Sequence, residues 1–377
     1  GEKPAEWVYE MLAAGHSSFY KVENGKKHYY DIPTKSYIPV PGLEEFLLLD
    51  TLKSAEKKIW GNEGASIYDL GDEVIGLEFH TKMNSMGQEV VEGINMAINM
   101  AEKSYKGLVI GNEGGNFSAG ANLAMIYMFA GDQDFDEINL MIAQFQNTML
   151  RARFSSVPVV VAPHNMALGG GCELSLHADA VQAHAELYMG LVEVGVGLIP
   201  GGGGTKEMTL RFSKHNAPGD VELNRLQDIF MNIATAKVST SAAEARNFGY
   251  LEEKDAITIN RKRQLAEAKQ KVIALSDAGY TQPIERSDIK VLGKSSLALF
   301  ETGISGMRFG SYISEHDAKI ARKLAWVMSG GDLSSPTEVS ERYLLDLERE
   351  AFLSLTGEKK TLERIHSILF KGKPLRN

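Results

Sequence analysis

The chain has 377 residues, of which 44% are hydrophobic and 24% charged, and this composition excludes a wholly disordered, collagen-like or coiled-coil protein. Lys and Arg number 40 against 49 Asp and Glu, and the resulting net charge of −9 argues against nucleic acid as a partner. The single cysteine can close no disulfide within the chain, and no run approaches the roughly 20 apolar residues of a membrane span. We therefore expect a cytoplasmic protein without a membrane span.

An aromatic lead segment, which contains Trp7 and Trp60, opens the chain. Its pattern predicts a helix over 4–14, an irregular middle and a second helix over 43–59. Gly1 stands where a start methionine would be expected, which suggests a cut inside a longer chain.

From about residue 67 the pattern changes, and strands alternate with helices. The predicted elements are, in chain order, a strand at 73–79, a helix at 86–103, a strand at 106–111, a helix at 136–151, a strand at 158–162, a helix at 171–178 and a short strand at 180–184. This alternation predicts an α/β fold with crossover connections.

Beyond about residue 222 the sequence turns helical, with apolar residues at spacings of three and four. The predicted helices cover 223–233, 265–275, 320–328, 337–355 and 358–370. Pro336 should occupy a first helical turn, and Gly357 should end a helix.

Three glycine-bearing segments lie in the α/β centre, at 114–123, 167–176 and 190–205. Where such a turn follows a strand and opens a helix, unpaired N–H groups face any negative charge that develops nearby. A glycine-rich turn that binds nothing is the alternative. Neither a dinucleotide-binding fingerprint nor a phosphate-binding P-loop occurs.

Two glutamates accompany these turns. Glu173 falls in the first turn of a predicted helix, where it is either a capping carboxylate or a catalytic group. Glu193 lies among apolar residues, and desolvation there would raise its pKa towards that of a general acid, whereas a solvated loop carboxylate is the alternative. Two amide-bearing turns and two carboxyl groups together suggest an oxyanion site that faces an acid/base pair.

Four ordered motifs resemble those of the crotonase (enoyl-CoA hydratase/isomerase) superfamily. They are Lys82-Met-Asn-Ser-Met86, Phe117-Ser-Ala-Gly-Ala-Asn122, Ala167-Leu-Gly-Gly-Gly-Cys-Glu173 and residues 193–204, and a further piece at 241–251 is similar to the family's helical exit. The resemblance implies an α/β fold of the crotonase-like ββα spiral type over 67–255, followed by a helical C-terminal extension over 256–377.

The resemblance also implies roles for individual residues. The amides of Ala121 and Gly170 would form the oxyanion hole for a thioester oxygen. Glu173 would activate water and Glu193 would deliver a proton to C2, so that trans-2-enoyl-CoA becomes 3-hydroxyacyl-CoA in fatty acid β-oxidation. An isomerase would need only one such carboxylate, so both glutamates favour a hydratase.

Four further residues match positions that line the path of CoA in the family. Lys82 and Asn84 correspond to the CoA-binding strand end, and Ala119 and Gly120 to the adenine and pantetheine path. The acyl-CoA is a substrate, so the resemblance implies no cofactor in this chain.

The flanks resemble bacterial bifunctional β-oxidation enzymes, in which a 3-hydroxyacyl-CoA dehydrogenase precedes the hydratase. Residues 1–66 would be the remnant of that dehydrogenase part, which would lie in the same polypeptide and bind NAD. A homo-oligomer is expected, as is common in the family. A Δ3,Δ2-enoyl-CoA isomerase and a non-catalytic acyl-CoA-binding or scaffold module are the alternative functions.

Some residues near the motifs depart from the family pattern or invite other interpretations. Asn165 replaces a usual Gly but tolerates a left-handed backbone, and Asn122 stands where Asp is frequent. His164 is expected to be satisfied by backbone partners, and Cys172 to pack beneath a helix. The nine histidines show no metal-binding spacing, so no metal site is expected.

Overall fold

The computed structural model describes residues 3–23, 26–43, 46–215 and 219–377. Its lead segment contains a helix, a small antiparallel sheet ordered β1-β2-β3 and a second, short helix. These elements are α1 (Glu6–Ala13), β1 (Tyr20–Glu23), β2 (Lys26–Asp31), β3 (Ser36–Pro39) and α2 (Leu49–Ser54).

The helix predicted over 4–14 is confirmed, but the expected irregular middle is a sheet. Aromatic rings hold this sheet together, since Tyr30 and Tyr37 meet edge to face with centroids 5.7 Å apart. The helix predicted over 43–59 is wrong in extent: α2 ends at Ser54, the chain turns with a positive φ at Glu56, and a strand follows. Residues 44 and 45 of that prediction lie outside the described residues.

A mixed sheet forms the centre of the molecule, and within the described ranges its order is β12-β10-β8-β7-β6-β5-β4. The neighbours β6, β7, β8, β10 and β12 pair parallel. At the other edge, β5 pairs antiparallel with both β4 and β6. A short parallel pair, β9 with β11, stands apart from it. The strands are β4 (Lys58–Gly61), β5 (Ala65–Asp69), β6 (Val74–Phe79), β7 (Gly107–Ile110), β8 (Val159–Val161), β9 (Asn165–Leu168), β10 (Ala180–His184), β11 (Leu187–Gly190) and β12 (Ala256–Thr258).

Helices cover the sheet and position the candidate site. Those of the α/β part are α3 (Gln88–Ser104), α4 (Leu123–Gly131), α5 (Phe135–Arg153), α6 (Gly170–His177) and α7 (Gly204–Lys214). The α/β alternation predicted from the sequence is confirmed. Helix α4 was missed because its residues are apolar on nearly every face, which leaves no helical period to detect.

The remaining elements are predominantly helical, as expected for this part of the chain. They are α8 (Glu222–Ala234), α9 (Ala242–Asn247), α10 (Gln264–Asp277), β13 (Ile289–Val291), α11 (Lys294–Phe309), α12 (Glu315–Met328), β14 (Thr337–Val339), α13 (Glu341–Thr356) and α14 (Lys359–Lys371).

The helix predicted from residue 337 starts later than expected. Residues 337–339 form β14, which pairs antiparallel with β13, so Pro336 precedes a strand rather than occupying a helical turn. Ser340 then begins α13 because its side chain accepts a hydrogen bond from the amide of Tyr343. Gly357 ends this helix as predicted.

Neither expected domain boundary coincides with an edge of the central sheet. The boundary after residue 66 falls inside β5, and β12, which begins at residue 256, is the edge strand beside β10. The α/β core therefore extends from 58 to 258, beyond the expected 67–255. The origin of residues 1–66 as a dehydrogenase remnant stays a prediction.

The C-terminal helices belong to the same hydrophobic core as the sheet. Leu77 of β6, Met149 of α5, Leu324 of α12 and Leu344 of α13 are all buried members of one continuous cluster. Helix α13 packs against α5 and α7, and α14 packs against α4. In the described part of the chain, each helix is too short or too polar to span a lipid bilayer.

Candidate active site

A sharp turn between β9 and α6 creates the centre of the site. Gly169 adopts a φ of +51° there, and a Cβ at this position would lie 3.0 Å from Oε1 of Glu193. Glycine therefore serves two purposes: it permits the turn, and it leaves room for the carboxyl group opposite. Helix α6 starts at Gly170, and Glu173 follows within its first turn.

The backbones of Ala121 and Gly170, which the resemblance names as the oxyanion hole, lie side by side. Residues 118–121 run beside β9, where the amide of Leu168 donates to the carbonyl of Ser118 at 3.0 Å. A Cβ on Gly170 would lie 3.5 Å from the Ala121 nitrogen, so the two backbones nearly touch. Within the described residues neither amide donates to a protein acceptor, which leaves both available to a ligand oxygen.

A cavity of about 650 Å³ opens in front of these amides. Its wall includes four residues predicted for the site, Ala121, Gly170, Glu173 and Glu193. The rest is largely apolar and extends from α4 and α5 to the C-terminal helices, with side chains that include Met125, Ile126, Phe129, Leu140, Met141, Phe145, Phe352 and Ile368. An apolar cavity with a few convergent polar groups is the usual form of a small-molecule site.

Glu173 is held by backbone amides at the floor of this cavity. Its Oε1 accepts hydrogen bonds from the amides of Gly202 and Gly204 at 2.8 and 2.9 Å. Burial raises the pKa of Glu173 to about 7, and the two amides and the charge of Lys206 only partly offset this rise. The group can therefore exchange a proton near neutral pH.

Glu193 opens a 3₁₀ turn, Glu193–Val196, and also lines the cavity. Its Oε2 is buried without a hydrogen-bond partner among the described residues. Burial, and next the charge of Glu173, raise the pKa of Glu193 well above its usual range. Glu193 thus holds a proton under conditions in which Glu173 gives one up.

The four residues predicted to bind CoA belong to two neighbouring segments, since the amide of Ala119 donates to the carbonyl of Met83 at 3.1 Å. Ala119 and Gly120 line the cavity beside the amide pair. Lys82 is exposed on the surface, and Asn84 is buried with its amide donating to the carbonyl of Asn116 at 2.9 Å. Neither Lys82 nor Asn84 is part of the cavity wall, and their CoA-binding roles stay predictions.

The departures from the motif have structural explanations. Asn165 has a φ of +45°, the left-handed conformation that was expected to be tolerated there. Asn122 caps α4 by accepting from the amide of Ala124. His164 Nε2 contacts the carbonyl of Gly114 at 3.0 Å and the guanidinium of Arg261 at 2.7 Å, but its Nδ1 is buried without a hydrogen-bond partner among the described residues, so the expected backbone satisfaction is only partial. Cys172 is buried in the core.

Sequence reasoning missed one carboxyl group near the site, Glu348 of α13. It is fully buried and accepts a hydrogen bond from the amide of Gly203 at 2.6 Å. One signal was available in the sequence: Glu348 lies on the apolar stripe of its helix with Leu344 and Phe352, where a carboxylate is unusual.

The fold is of the crotonase type. Residues 71–224 match the family model described as enoyl-CoA hydratase/isomerase. An enoyl-CoA hydratase from Bacillus halodurans has the same fold, with a TM-score of 0.54 at 15% sequence identity over 79% of this chain and 98% of that one.

Two curated relatives match along most of the chain. A probable 3-hydroxyacyl-CoA dehydrogenase of Bacillus subtilis is 47% identical over 98% of this chain and 46% of its own length. A provisionally named fatty acid oxidation complex trifunctional enzyme of Rickettsia felis is 30% identical over 88% of this chain and 44% of its own length. The chain therefore spans less than half the length of these relatives.

Proposed function

We propose that this chain catalyses the addition of water to trans-2-enoyl-CoA, giving 3-hydroxyacyl-CoA in fatty acid β-oxidation. The observation that carries the proposal is that Glu173 and Glu193 share one cavity with the amides of Ala121 and Gly170, neither of which has an acceptor among the described residues. An enoyl-CoA substrate also agrees with the apolar wall, which would receive the acyl chain.

In the proposed reaction each group takes one step. The thioester oxygen accepts from the amides of Ala121 and Gly170, each worth about 3 kcal/mol of transition-state stabilisation. Glu173 takes a proton from water while the oxygen bonds to C3, and the double-bond electrons move into the enolate. Glu193 then donates its proton to C2, so that water has added across the bond and the glutamates have exchanged protonation states.

The test is the hydration of crotonyl-CoA by the purified chain and two variants. Glu173→Gln and Glu193→Gln should each lower kcat by roughly 10²–10⁴-fold, because each removes a group that transfers a proton. The control is Glu350→Gln, an exposed residue of α13 that should leave the rate unchanged. Near-normal rates in both active-site variants would overturn the assignment.

The same assay separates the alternatives. A chain that shifts the double bond of a 3-enoyl-CoA without adding water would be a Δ3,Δ2-enoyl-CoA isomerase. A chain that binds acyl-CoA without turning over either substrate would be a binding or scaffold module.

We further propose that the hydratase works beside an NAD-dependent 3-hydroxyacyl-CoA dehydrogenase in the same polypeptide. The name of the Bacillus subtilis relative, and the fraction of that protein which this chain matches, support the proposal. NAD would bind to that other part, and no cofactor is proposed for this chain. Homo-oligomer formation and a cytoplasmic location stay predictions from the sequence.

A further inference from the structure

Glu348 reaches from α13 into the glycine turn before α7. Its Oε1 accepts from the amide of Gly203 at 2.6 Å, and its Oε2 accepts from the amide of Lys206 at 3.0 Å. The side-chain nitrogen of Gln146 lies 3.5 Å from the same Oε1. Each of these neighbours is a hydrogen-bond donor, so both carboxyl oxygens of Glu348 serve as acceptors.

The same turn holds Glu173 from its other side. The amides of Gly202 and Gly204 donate to Glu173 Oε1, while the intervening amide of Gly203 donates to Glu348. Alternate amides of one short segment are thus shared between two buried carboxyl groups. Movement of either carboxyl group would disturb the hydrogen bonds of the other.

We propose that Glu348 is a positioning residue, which orders the turn at 202–204 so that its amides stay on Glu173. The proposal rests on the proposed hydratase function, in which Glu173 activates water. It assigns a role at the active site to α13, which lies outside the segment that matches the family model.

The main hydrogen-bond partners of Glu348 are the amides of the turn, because the nearest cation is paired with other carboxylates. The amino group of Lys206 is paired with Glu207 and with Glu341 at 2.9 Å, so it is committed elsewhere. Burial, and next the charge of Glu173, raise the pKa of Glu348, and the amides oppose that rise. The titratable and charged groups that face this region are Glu173 and His177 on α6, Glu193 on the 3₁₀ turn, Arg153 on α5, Lys206 and Glu207 on α7, and Glu341 and Arg349 on α13.

The sharpest variant is Glu348→Asp, which keeps the carboxyl group but shortens the side chain by one methylene. The turn should loosen, and kcat for crotonyl-CoA should fall by about 10–100-fold, because a small misplacement of a catalytic group has effects of this size. The KM should stay within about threefold, since the amides of the oxyanion hole are untouched. Glu348→Gln keeps the reach and one of the two acceptor oxygens, so its kcat should fall less than that of Glu348→Asp.

The pH profile separates positioning from a structural role. The amides of Gly202 and Gly204 favour the ionised form of Glu173, so a loosened turn raises its pKa. The acidic limb of the kcat profile should therefore move to higher pH by roughly one unit in Glu348→Asp. The matched control is Glu350→Asp, exposed on the same helix, whose profile should coincide with that of the unmodified chain.

The proposal would be overturned if the acidic limb of the kcat profile lay at the same pH in Glu348→Asp and in Glu350→Asp. Equal losses of kcat in Glu348→Asp and Glu348→Gln would also overturn it. A second readout does not need turnover: infrared titration of the buried carboxyl groups, with the band of Glu173 identified by its loss in Glu173→Gln. Its midpoint should rise in Glu348→Asp. Failure of the unmodified chain to hydrate crotonyl-CoA would count against the proposed function alone, because this titration still tests the turn.

Discussion

Gly202 shows how closely the residues around Glu173 are fitted. A Cβ at this position would lie 2.4 Å from the ring of Phe145 and 2.6 Å from Oε2 of Glu173. Both neighbours are buried, and the amide of Gly202 is itself one of the two donors to Glu173. No larger residue fits without displacing the carboxyl group.

We therefore expect Gly202→Ala to lower kcat/KM for crotonyl-CoA by about 100-fold, since even small displacements of a catalytic group have effects of that order. Steady-state kinetics measures the effect. Gly303→Ala is the control, because a Cβ there meets nothing within 4 Å and it lies inside α11. Equal activities of the two variants would show that the turn accommodates a methyl group.

At the scale of single residues, the sequence predicts what is local and misses what is distant. The turn that holds Gly170 and Glu173 is contiguous, so its motif alone indicates an amide donor beside a carboxyl group. Glu348 contacts Gly203 from 145 positions away, and no local pattern predicts that contact. The sequence could show only that a carboxylate occupies an apolar stripe.

At the scale of elements, α14 holds the turn that carries Glu193. The hydroxyl of Thr361 donates to the carbonyl of Gly197 at 2.9 Å, and the guanidinium of Arg364 donates to the carbonyl of Val194 at 3.3 Å. Arg364 is fully buried and pairs with Asp317 of α12 at 2.8 Å. A cation in the C-terminal helix thus connects α12 with the turn of the candidate acid.

The pair of arginines on Asp317 allows a matched test. Arg364 and Arg376 approach the same Oδ1 at 2.8 and 2.9 Å, but their side chains are 0% and 56% exposed. Arg364→Met should lower the free energy of unfolding by about 3–5 kcal/mol, because it leaves a carboxylate without its buried partner. Arg376→Met should lower it by less than about 1 kcal/mol, as is usual for exposed pairs.

Urea denaturation at pH 7 measures both values. Similar losses in the two variants would mean that burial does not distinguish these arginines. Arg364→Met should also lower kcat for crotonyl-CoA, since the turn of Glu193 loses one of its anchors.

Helices with a regular spacing of apolar residues were predicted well, whereas short strands that depend on pairing with another strand were not. Helix α3 has an apolar stripe that includes Val90, Ile94 and Ala97, and its predicted position is nearly correct. Strands β13 and β14 have three residues each and exist because they pair with one another. Such short segments carry too little pattern to be recognised before their partner is known.

At the scale of the molecule, the C-terminal helices complete the site. The turn between β9 and α6 carries Glu173, while Phe352 of α13 and Ile368 of α14 close the apolar wall. Three carboxyl groups, Glu173, Glu193 and Glu348, are buried together, and the pKa of each is raised. Their protonation therefore links the stability of the whole molecule to pH.

The sign of this linkage follows from Glu193. Its carboxyl group ionises near pH 4.5 when the chain is unfolded and at much higher pH when it is folded. The folded state thus holds a proton that the unfolded state has released, and its stability falls as pH rises from 4.5 through the folded pKa. The loss amounts to up to about 1.4 kcal/mol per pH unit within this window.

Glu193→Gln removes this dependence, because glutamine resembles the protonated acid and does not titrate. The quantity to measure is the free energy of unfolding of the variant minus that of the unmodified chain, by urea denaturation at fixed ionic strength. As pH rises from 5 to 8, this difference should increase by up to about 1.4 kcal/mol per pH unit. Glu252→Gln is the control: ion pairing lowers the pKa of Glu252 to about 2, so its stabilising contribution is lost only below pH 4.5. Its difference from the unmodified chain should stay constant over the same window. A constant difference for Glu193→Gln as well would mean that Glu193 is ionised in the folded protein, and it could then not be the proton donor.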